Sequence, residues 1–316
     1  MLDKHSLTRY HNQEARGEKA MELRALRYFL AIANEESISG AAAYLNLTQP
    51  TLSRQLLDLE EELGVKLMIR GGRKVTLTEK GRLFRNRALE IVELADRTAQ
   101  EFAASDEGVS GEIHIGGGET EAMRLIAGAA ADFRKMHPQV RYHLFSGNAE
   151  DVIERLDKGL LNFGVLLGPT NLENYESLRL PIVDTWGILM RKDSPLASLE
   201  AVRPEDLRDA PIIGPRQRLI TGELAEWIGR DFGKLNIVAT YNLIFNVTIM
   251  VDEGIGYAFC LDKLVNTANS NRCFKPLEPF IESYWDIVWK KYQVFSKPVE
   301  KLLSFLREKV TSANNA

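Results

Sequence analysis

Several side chains that can recognise nucleic-acid bases stand close together between Ser39 and Gln55, where the sequence is S-G-A-A-A-Y-L-N-L-T-Q-P-T-L-S-R-Q. Glutamine can read adenine and arginine can read guanine through paired hydrogen bonds. Serine and threonine hydroxyls can bind phosphates or base edges. These side chains act together only if one rigid element presents them on a single surface. The candidate DNA contacts in this segment are Ser39, Thr48, Gln49, Pro50, Thr51, Ser53 and Arg54.

A basic stretch follows from Lys66 to Arg87. It carries eight lysines and arginines, and Glu79 is its one acidic residue. Because the whole chain has a net charge of −4, this local excess of positive charge is informative, and it suits contact with phosphates. Arg70, Arg73 and Lys74 are the candidates for that contact. The alternative is an ordinary solvated basic face.

Three helices are predicted around the base-reading segment. Apolar residues recur at helical spacing from Leu23 to Asn34, and an alanine-rich helix is expected from Ser39 to Leu45, capped by Ser37 or Ser39. Thr48 can cap a third helix that Gly64 ends. The tight break before Thr48 predicts a helix-turn-helix, whose second helix enters the major groove by its N-terminal end.

A hairpin and a long helix complete the N-terminal part. Strands are expected at Val65–Ile69 and Val75–Leu77 around a Gly71-Gly72 turn, which predicts a winged helix-turn-helix domain over residues 21–78. A mixed-charge extension over residues 1–20 precedes it, and a linker helix over 79–107 follows it.

The linker helix carries an apolar stripe that predicts a dimer seam. Phe84, Ala88, Ile91, Ala95, Thr98 and Phe102 repeat at an average of 3.5 residues, as in a coiled coil. Phe84, Ile91 and Phe102 are the candidate dimer contacts. The alternative is a helix packed on its own domain.

Strands and helices alternate after Gly108, which predicts α/β architecture with a mostly parallel sheet. The first set of elements ends near residue 185, and a second set ends near residue 282. The strand at Tyr284–Trp289 and the helix at Lys297–Lys309 return to the first set. We therefore expect two lobes, one of residues 108–185 and 283–316 and the other of residues 186–282, with a cleft between them.

Residues 21–78 resemble the DNA-binding domain of LysR-type transcriptional regulators. The matching stretches are Leu26-Arg27-Tyr28-Phe29, Thr48-Gln49-Pro50-x-Leu52-Ser53-Arg54-Gln55, Leu59-Glu60, Leu63-Gly64, Leu67 and Leu77-Thr78-x-x-Gly81. Weaker matches continue along the chain: Phe133-x-x-x-His137-Pro138, Gly147, Asp193-Ser194-Pro195-Leu196 and Glu253-Gly254-Ile255-Gly256. The chain departs from the family at Met68, where phenylalanine is usual, and at Asn162, where aspartate is common.

The resemblance implies a transcriptional regulator with an α/β, periplasmic-binding-protein-like sensing domain. It implies a small effector between the lobes and homodimers or homotetramers on double-stranded DNA with an interrupted palindromic operator. RNA polymerase is a further candidate partner.

The effector site is expected at strand ends that face the cleft. Gly116-Gly117-Gly118-Glu119-Thr120 joins a strand to a helix predicted from Thr120 to Met136, and free N–H groups at a helix start favour a small polar, anionic metabolite. Glu119 there either faces away from an anion or meets an amine. The alternative is that the glycines only form a tight turn. The candidate effector contacts are Gly118, Thr120, Ser146, Asn148, Arg216, Asn246 and Thr248.

Other activities are not favoured by the sequence. We find no catalytic motif and no cofactor fingerprint, and His114, His137 and His143 are expected to be structural rather than metal ligands. The triplet Glu60-Glu61-Glu62 is expected to be a solvated helix face. Cys260 and Cys273 are expected to be buried thiols, with a redox pair as the alternative. A solute-binding protein and an enzyme are the rival functions. We expect a cytoplasmic protein with no membrane partner, because no export signal or apolar span is present.

Overall fold

The computed structural model describes residues 21–71, 74–103, 108–168, 172–216, 219, 223–229 and 235–314. The predicted extension over residues 1–20 lies outside this range. The chain divides into two compact units, residues 1–103 and 104–316.

The first unit begins with the three predicted helices. They are α1 (Leu23–Glu35), α2 (Ile38–Tyr44) and α3 (Gln49–Leu63). The Ser37 hydroxyl caps α2 by accepting from the Gly40 N–H, and the Thr48 hydroxyl caps α3 by accepting from the Thr51 N–H. Gly64 ends α3 with a φ of 65°, a left-handed conformation that glycine adopts without strain. The predicted helix-turn-helix is confirmed.

The helices of the first unit enclose one apolar core. Its buried members include Phe29 and Ile32 of α1 and Leu52, Leu56 and Leu59 of α3. The leucines of α3 recur every three or four residues, so they share one face of the helix and leave the opposite face to solvent.

The wing is shorter than the sequence predicts. Strand β1 covers Met68–Arg70 and pairs antiparallel with β2, Val75–Leu77. β1 begins later than predicted because the chain before it is held by α3. Glu60 Oε1 accepts from the N–H groups of Leu67 and Met68, at 2.8 and 3.1 Å, and Oε2 accepts from Lys66 Nζ at 2.7 Å.

The expectation that Glu60 belongs to a solvated helix face is therefore wrong. Glu60 is 5% exposed, whereas Glu61 beside it is exposed. Burial raises the pKa of the Glu60 carboxyl, but the hydrogen bonds from Lys66, Met68 and Leu67 outweigh that effect and bring its pKa below the ordinary value.

Helix α4, Glu79–Ala103, carries the predicted apolar stripe, but part of that stripe packs on its own domain. Phe84 packs edge-on against Phe29 with the ring centroids 4.9 Å apart, and Ala88 is fully buried in the same core. Ile91 follows Phe84 by seven residues and is nearly in line with it along the helix, but it is 42% exposed. The Phe102 side chain lies outside the described residues. Phe84 is thus partly covered by the core of its own domain, whereas the Ile91 side chain is exposed.

The second unit is built on a mixed sheet. The described strands run in the order β4-β3-β5-β11-β6-β9-β7-β8, with β10 also paired to β6. Their bounds are β3 Gly111–Gly117, β4 Val140–Ser146, β5 Phe163–Leu167, β6 Tyr175–Arg191, β7 Pro211–Pro215, β8 Asn236–Tyr241, β9 Tyr257–Leu261, β10 Arg272–Pro276 and β11 Glu282–Lys290. The helices are α5 Met123–Met136, α6 Ala149–Asp157, α7 Glu223–Ile228, α8 Phe245–Asp252 and α9 Lys297–Asn314, with 3₁₀ turns at Pro195–Ser198 and Pro204–Leu207.

Two long strands carry the chain between the lobes of this unit. β6 pairs with β11 up to Thr185 and with β9 and β10 from Trp186 onwards. Strand pairs within a lobe, such as β3 with β4 and β7 with β8, are parallel, as predicted. Pairs that involve β6 or β11 are antiparallel, and β6 and β11 themselves run between the lobes in opposite directions. Strand β10 was not predicted from the sequence.

Candidate functional site

The N-terminal end of α3 presents the predicted base-reading side chains on one surface. Thr48, Gln49, Thr51 and Arg54 are exposed, whereas Ser53 is half-buried. Pro50 lies exposed in the first turn, where the missing N–H leaves no hydrogen bond unmade. The surface therefore combines hydroxyl, amide and guanidinium groups on a helix end that is fixed by its buried leucines.

The remaining predicted DNA contacts are less uniform. Ser39 and Arg70 are exposed. Lys74 is also exposed, but its Nζ lies 2.6 Å from Glu36 Oε2, so part of its charge is neutralised. Arg73 lies outside the described residues. The wing thus offers Arg70 as its most direct described candidate for a phosphate contact.

In the second unit, a cleft of about 870 Å³ lies between the two lobes. One wall comes from the loops after β3 and β4, including Gly118 and Asn148. The facing wall comes from Arg216 after β7 and from Tyr241–Ile244 after β8. These are carboxyl ends of parallel strands, where ligands bind in open α/β sheets. The volume suits a small molecule.

The floor of the cleft contains two tryptophans that sequence reasoning missed. Trp186 and Trp285 stand on β6 and β11 and line the cleft. Trp186 Nε1 donates to Ser283 Oγ at 3.0 Å, and Trp285 Nε1 donates to Asp184 Oδ2 at 2.7 Å. Both tryptophans lie where the chain crosses between the lobes, which the sequence could have indicated. Strand pairing is what brings the two residues together at the floor of the cleft.

Asp184 is a buried carboxyl directly beneath this floor. It is 1% exposed, and burial raises its pKa, with the hydrogen bond from Trp285 acting in the opposite direction. Asp262 lies across the same crossing, where its Oδ1 accepts from the Thr185 N–H at 2.7 Å. The crossing strands are thus joined by polar contacts in addition to the strand pairing.

Glu119 faces the cleft and bridges the lobes. Its Oε2 accepts from the backbone N–H of Ile244, at 2.5 Å, and Ile244 is the residue before α8. The negative charge therefore lies at a helix start in the other lobe, where the dipole favours it. The sequence left open whether Glu119 faces away from a bound anion or contacts an amine. In the structure its carboxylate accepts a hydrogen bond from the backbone N–H of Ile244.

Three of the predicted effector contacts line the cleft: Gly118, Asn148 and Arg216. Asn148 also caps α6, because its Oδ1 accepts from the Asp151 N–H at 3.0 Å while Asp151 accepts from the Asn148 N–H. Among the described residues of the lining, Arg216 carries the one positive charge. It is exposed.

The other four predicted contacts are not part of the cleft lining. Thr120 does not begin a helix, because α5 starts at Met123 and the Thr120 hydroxyl accepts from the Ala122 N–H at 3.0 Å. Ser146 is an exposed residue at the end of the strand β4. Asn246 is exposed on α8, and the Thr248 hydroxyl donates to the Phe245 carbonyl within the same helix. The predicted helix start at Thr120 is therefore wrong, and the role of Thr120 as an effector contact stays a prediction.

Both halves of the chain match known protein families. Residues 23–82 match the family described as "Bacterial regulatory helix-turn-helix protein, lysR family", and residues 106–311 match the "LysR substrate binding domain". The chain is 31% identical to the HTH-type transcriptional regulator AlsR of Bacillus subtilis (strain 168), over 86% of this chain and 91% of AlsR. It is 27% identical to the Hca operon transcriptional activator HcaR of Escherichia coli (strain K12), over 92% and 99% of the two chains.

Solved structures show the same fold. The crystal structure of CbnR, a LysR family transcriptional regulator, aligns with a TM-score of 0.71 at 19% identity and covers 92% of this chain and 99% of CbnR. The structure of full-length CbnR with its target DNA aligns with a TM-score of 0.69 at 19% identity, over 93% and 100% of the two chains. In the described part of this chain, no helix has the length and apolar character needed to span a membrane.

Proposed function

This chain belongs to the LysR family of transcriptional regulators, and from that premise we propose which of its residues read DNA, bind the effector and pair the subunits. The chain is a DNA-binding regulator with an effector-binding domain, and the expectations drawn from the resemblance about family, fold class and general function are confirmed.

The N-terminal end of α3 reads the operator. The observation that carries this proposal is the exposed group of Gln49, Thr51 and Arg54 above buried leucines. Such a helix end fits the major groove, where glutamine and arginine distinguish base pairs. Ser39 and Arg70 then serve as phosphate contacts that position the helix without reading sequence.

The test compares Arg54→Ala and Gln49→Ala with Arg24→Ala, an exposed arginine of α1 that gives a matched loss of charge. Fluorescence anisotropy is measured on a duplex selected from random sequence and on an unselected duplex. The first two variants should lose about 1–3 kcal/mol on the selected duplex and much less on the other. If both keep the wild-type ratio of the two affinities, α3 does not read the bases.

The exposed face of α4 pairs two subunits. Leu83, Ile91 and Leu94 are 58%, 42% and 42% exposed, and they lie within one third of the helix circumference. Two subunits would bury these side chains against each other and present two heads to an interrupted palindrome. Pairing of the effector domains would extend the dimer to a homotetramer.

Ile91→Glu tests the seam, because it places an unpaired charge in the buried interface. Leu89→Glu is the matched control. Leu89 is 46% exposed but lies about 200° around the helix from Ile91. Sedimentation should show smaller assemblies for Ile91→Glu and wild-type assemblies for Leu89→Glu. Equal behaviour of the two variants would contradict the seam.

The cleft binds a small anionic molecule that has an apolar body. Arg216 supplies a guanidinium for a carboxylate, and Trp186 and Trp285, which are 3% and 4% exposed, contribute to the lining at the floor. The acidic lining residues do not all repel it equally, because Glu119 is held by the Ile244 N–H and Asp151 by the Asn148 N–H. A ligand that contacts both walls would change the populations of open and closed lobes.

Paired probes test this chemistry on the full chain. Small carboxylates and their primary amides of the same size are compared by thermal shift, since a bound ligand raises the melting temperature. The carboxylates should stabilise the wild-type protein, and Arg216→Gln should remove the difference between acid and amide. If amides or amines stabilise as well as acids, the effector is not an anion. If Arg216→Gln has no effect, the ligand lies elsewhere.

Further partners follow from the family. We infer that the regulator acts in the cytoplasm, where its DNA lies, and that RNA polymerase is its partner at the promoter. No membrane partner is needed for either role.

A further inference from the structure

Two histidines and a glutamate meet on neighbouring strands at the edge of the first lobe. His114 of β3 stands directly opposite His143 of β4 in the strand register. Their imidazole rings are stacked, with centroids 4.6 Å apart and 15° between the planes. Glu112 lies two residues before His114, on the same face of β3. The two histidines are 29 positions apart in the chain, and strand register brings them together.

The donor atoms of the three side chains converge. Glu112 Oε2 lies 3.6 Å from His114 Nε2 and 3.4 Å from His143 Nε2. One donor atom from each residue lies within 4.8 Å of the other two. A tetrahedral ion with metal–ligand distances of about 2.0–2.2 Å holds its ligand atoms roughly 3.3–3.6 Å apart. The two carboxylate–imidazole distances already match this spacing, and a small tilt of the stacked rings brings their nitrogens closer.

The cluster is partly buried and still accessible. The side chains of Glu112 and His114 are 26% and 16% exposed, and that of His143 is 50% exposed. The backbone beneath is fixed, because the Asn162 side chain accepts from the His114 N–H at 2.8 Å and the Asn162 N–H donates to the His114 carbonyl at 2.8 Å. A fixed strand pair with one open side can accept an ion from solvent and leave a coordination position for water.

We propose that Glu112, His114 and His143 form a binding site for a divalent transition-metal ion of the zinc or nickel type. Two imidazoles and one carboxylate are ligands that these borderline ions prefer, whereas Mg²⁺ and Ca²⁺ prefer oxygen ligands. The bound ion joins β3 to β4, which is the edge strand of the sheet. Occupancy therefore stabilises the first lobe, and it does so outside the effector cleft.

The test uses full-length protein freed of metal by a chelator, with Zn²⁺ as the probe. His5 and His11 precede the described residues, so all measurements are made in a His5→Gln, His11→Gln background. Calorimetry should find one Zn²⁺ per chain, and Zn²⁺ should raise the melting temperature. Co²⁺ in place of Zn²⁺ should give the visible absorption of a low-coordinate site.

The variants His143→Gln and Glu112→Gln are compared with His137→Gln, which removes an imidazole of the same unit outside the cluster. The first two should weaken Zn²⁺ binding at least about tenfold, since losing even an outer-shell partner costs about 10–100-fold. His137→Gln should bind as the background protein does. The melting temperature of each variant without metal shows whether the variant folds. If His143→Gln does not fold, Glu112→Gln still tests the loss of a metal ligand.

The proposal is overturned if the background protein binds no Zn²⁺, or if His137→Gln weakens binding as much as His143→Gln does. In the first case the cluster is a set of side-chain contacts that holds no metal ion.

Discussion

Replacing Glu60 by alanine should loosen the joint between the recognition helix and the wing. Glu60 Oε1 is the acceptor for two backbone N–H groups, those of Leu67 and Met68, which are residues only 1% and 5% exposed. Without the carboxylate, both donors remain in a site from which water is largely excluded. Glu61→Ala is the control, because Glu61 is exposed one position further along α3.

The expected cost follows from the two donors. An unsatisfied buried hydrogen-bonding group costs about 1–3 kcal/mol, and partial relaxation of the loop should admit some water. We therefore expect Glu60→Ala to destabilise this region by about 2–4 kcal/mol. Glu60→Gln should cost less, because its amide oxygen still accepts, although a neutral acceptor is weaker than a carboxylate.

Hydrogen exchange followed by mass spectrometry measures this effect locally. Every tryptophan of the chain lies beyond residue 103, so tryptophan fluorescence does not report on the first unit. Amides of the peptide that contains Leu67 and Met68 should exchange about 30–1000 times faster in Glu60→Ala, since 1.4 kcal/mol corresponds to a factor of ten. If their exchange matches that of Glu61→Ala, the Glu60 contacts do not hold the joint.

The same contacts give a pH dependence. The pKa of Glu60 is lowered in the folded protein from an ordinary value of 4.5. Its contribution to stability is therefore present above pH 4.5 and is lost as the pH falls through the lowered pKa. Glu60→Gln should remove this part of the acid dependence.

Three further outcomes are expected. Gly81→Ala should destabilise the first unit strongly, because a Cβ there would lie 1.9 Å from the Leu67 carbonyl oxygen. Hydrogen exchange in peptides of this unit should become faster. Unchanged exchange would mean that the backbone around Gly81 can move away from Leu67. Gly128→Ala should stabilise the second unit by about 0.5–1 kcal/mol in urea unfolding, because nothing lies within 4 Å of the added Cβ in a helix interior. Burial raises the pKa of the Cys260 thiol to about 12, so a disulfide reagent at pH 8 should modify Cys273 first. Faster labelling of Cys260 would contradict its burial.

Local sequence signals were sufficient for the helix-turn-helix. Ser37, Thr48 and Gly64 define helix ends by contacts with residues no more than four positions away. The leucine spacing of α3 then fixes which face is buried, so the exposed positions of Gln49 and Arg54 followed from the sequence. The alternation of strands and helices similarly predicted two α/β lobes, because each crossover is read from consecutive elements.

The tertiary structure decided how distant segments share their side chains. By sequence Glu60 resembles a surface residue, but in the fold the N–H groups of Leu67 and Met68 donate to its carboxylate. Phe84 and Ile91 fit one coiled-coil stripe by spacing, but packing on Phe29 assigns Phe84 to the core of its own domain. Helical spacing alone cannot show which partner will cover a given apolar face.

The cleft and the histidine cluster depend on strand order and register, which connect residues far apart in the chain. Strand ends placed Asn148 and Arg216 near the cleft that they line, whereas the tryptophans line it because β6 and β11 cross between the lobes. His114 and His143 meet because β3 and β4 pair in one register, and a shift by one residue would turn one of them to the opposite face. The sequence thus determined the helix-turn-helix and most of the α/β elements with their exposed side chains, whereas long-range pairing determined which of those side chains came together.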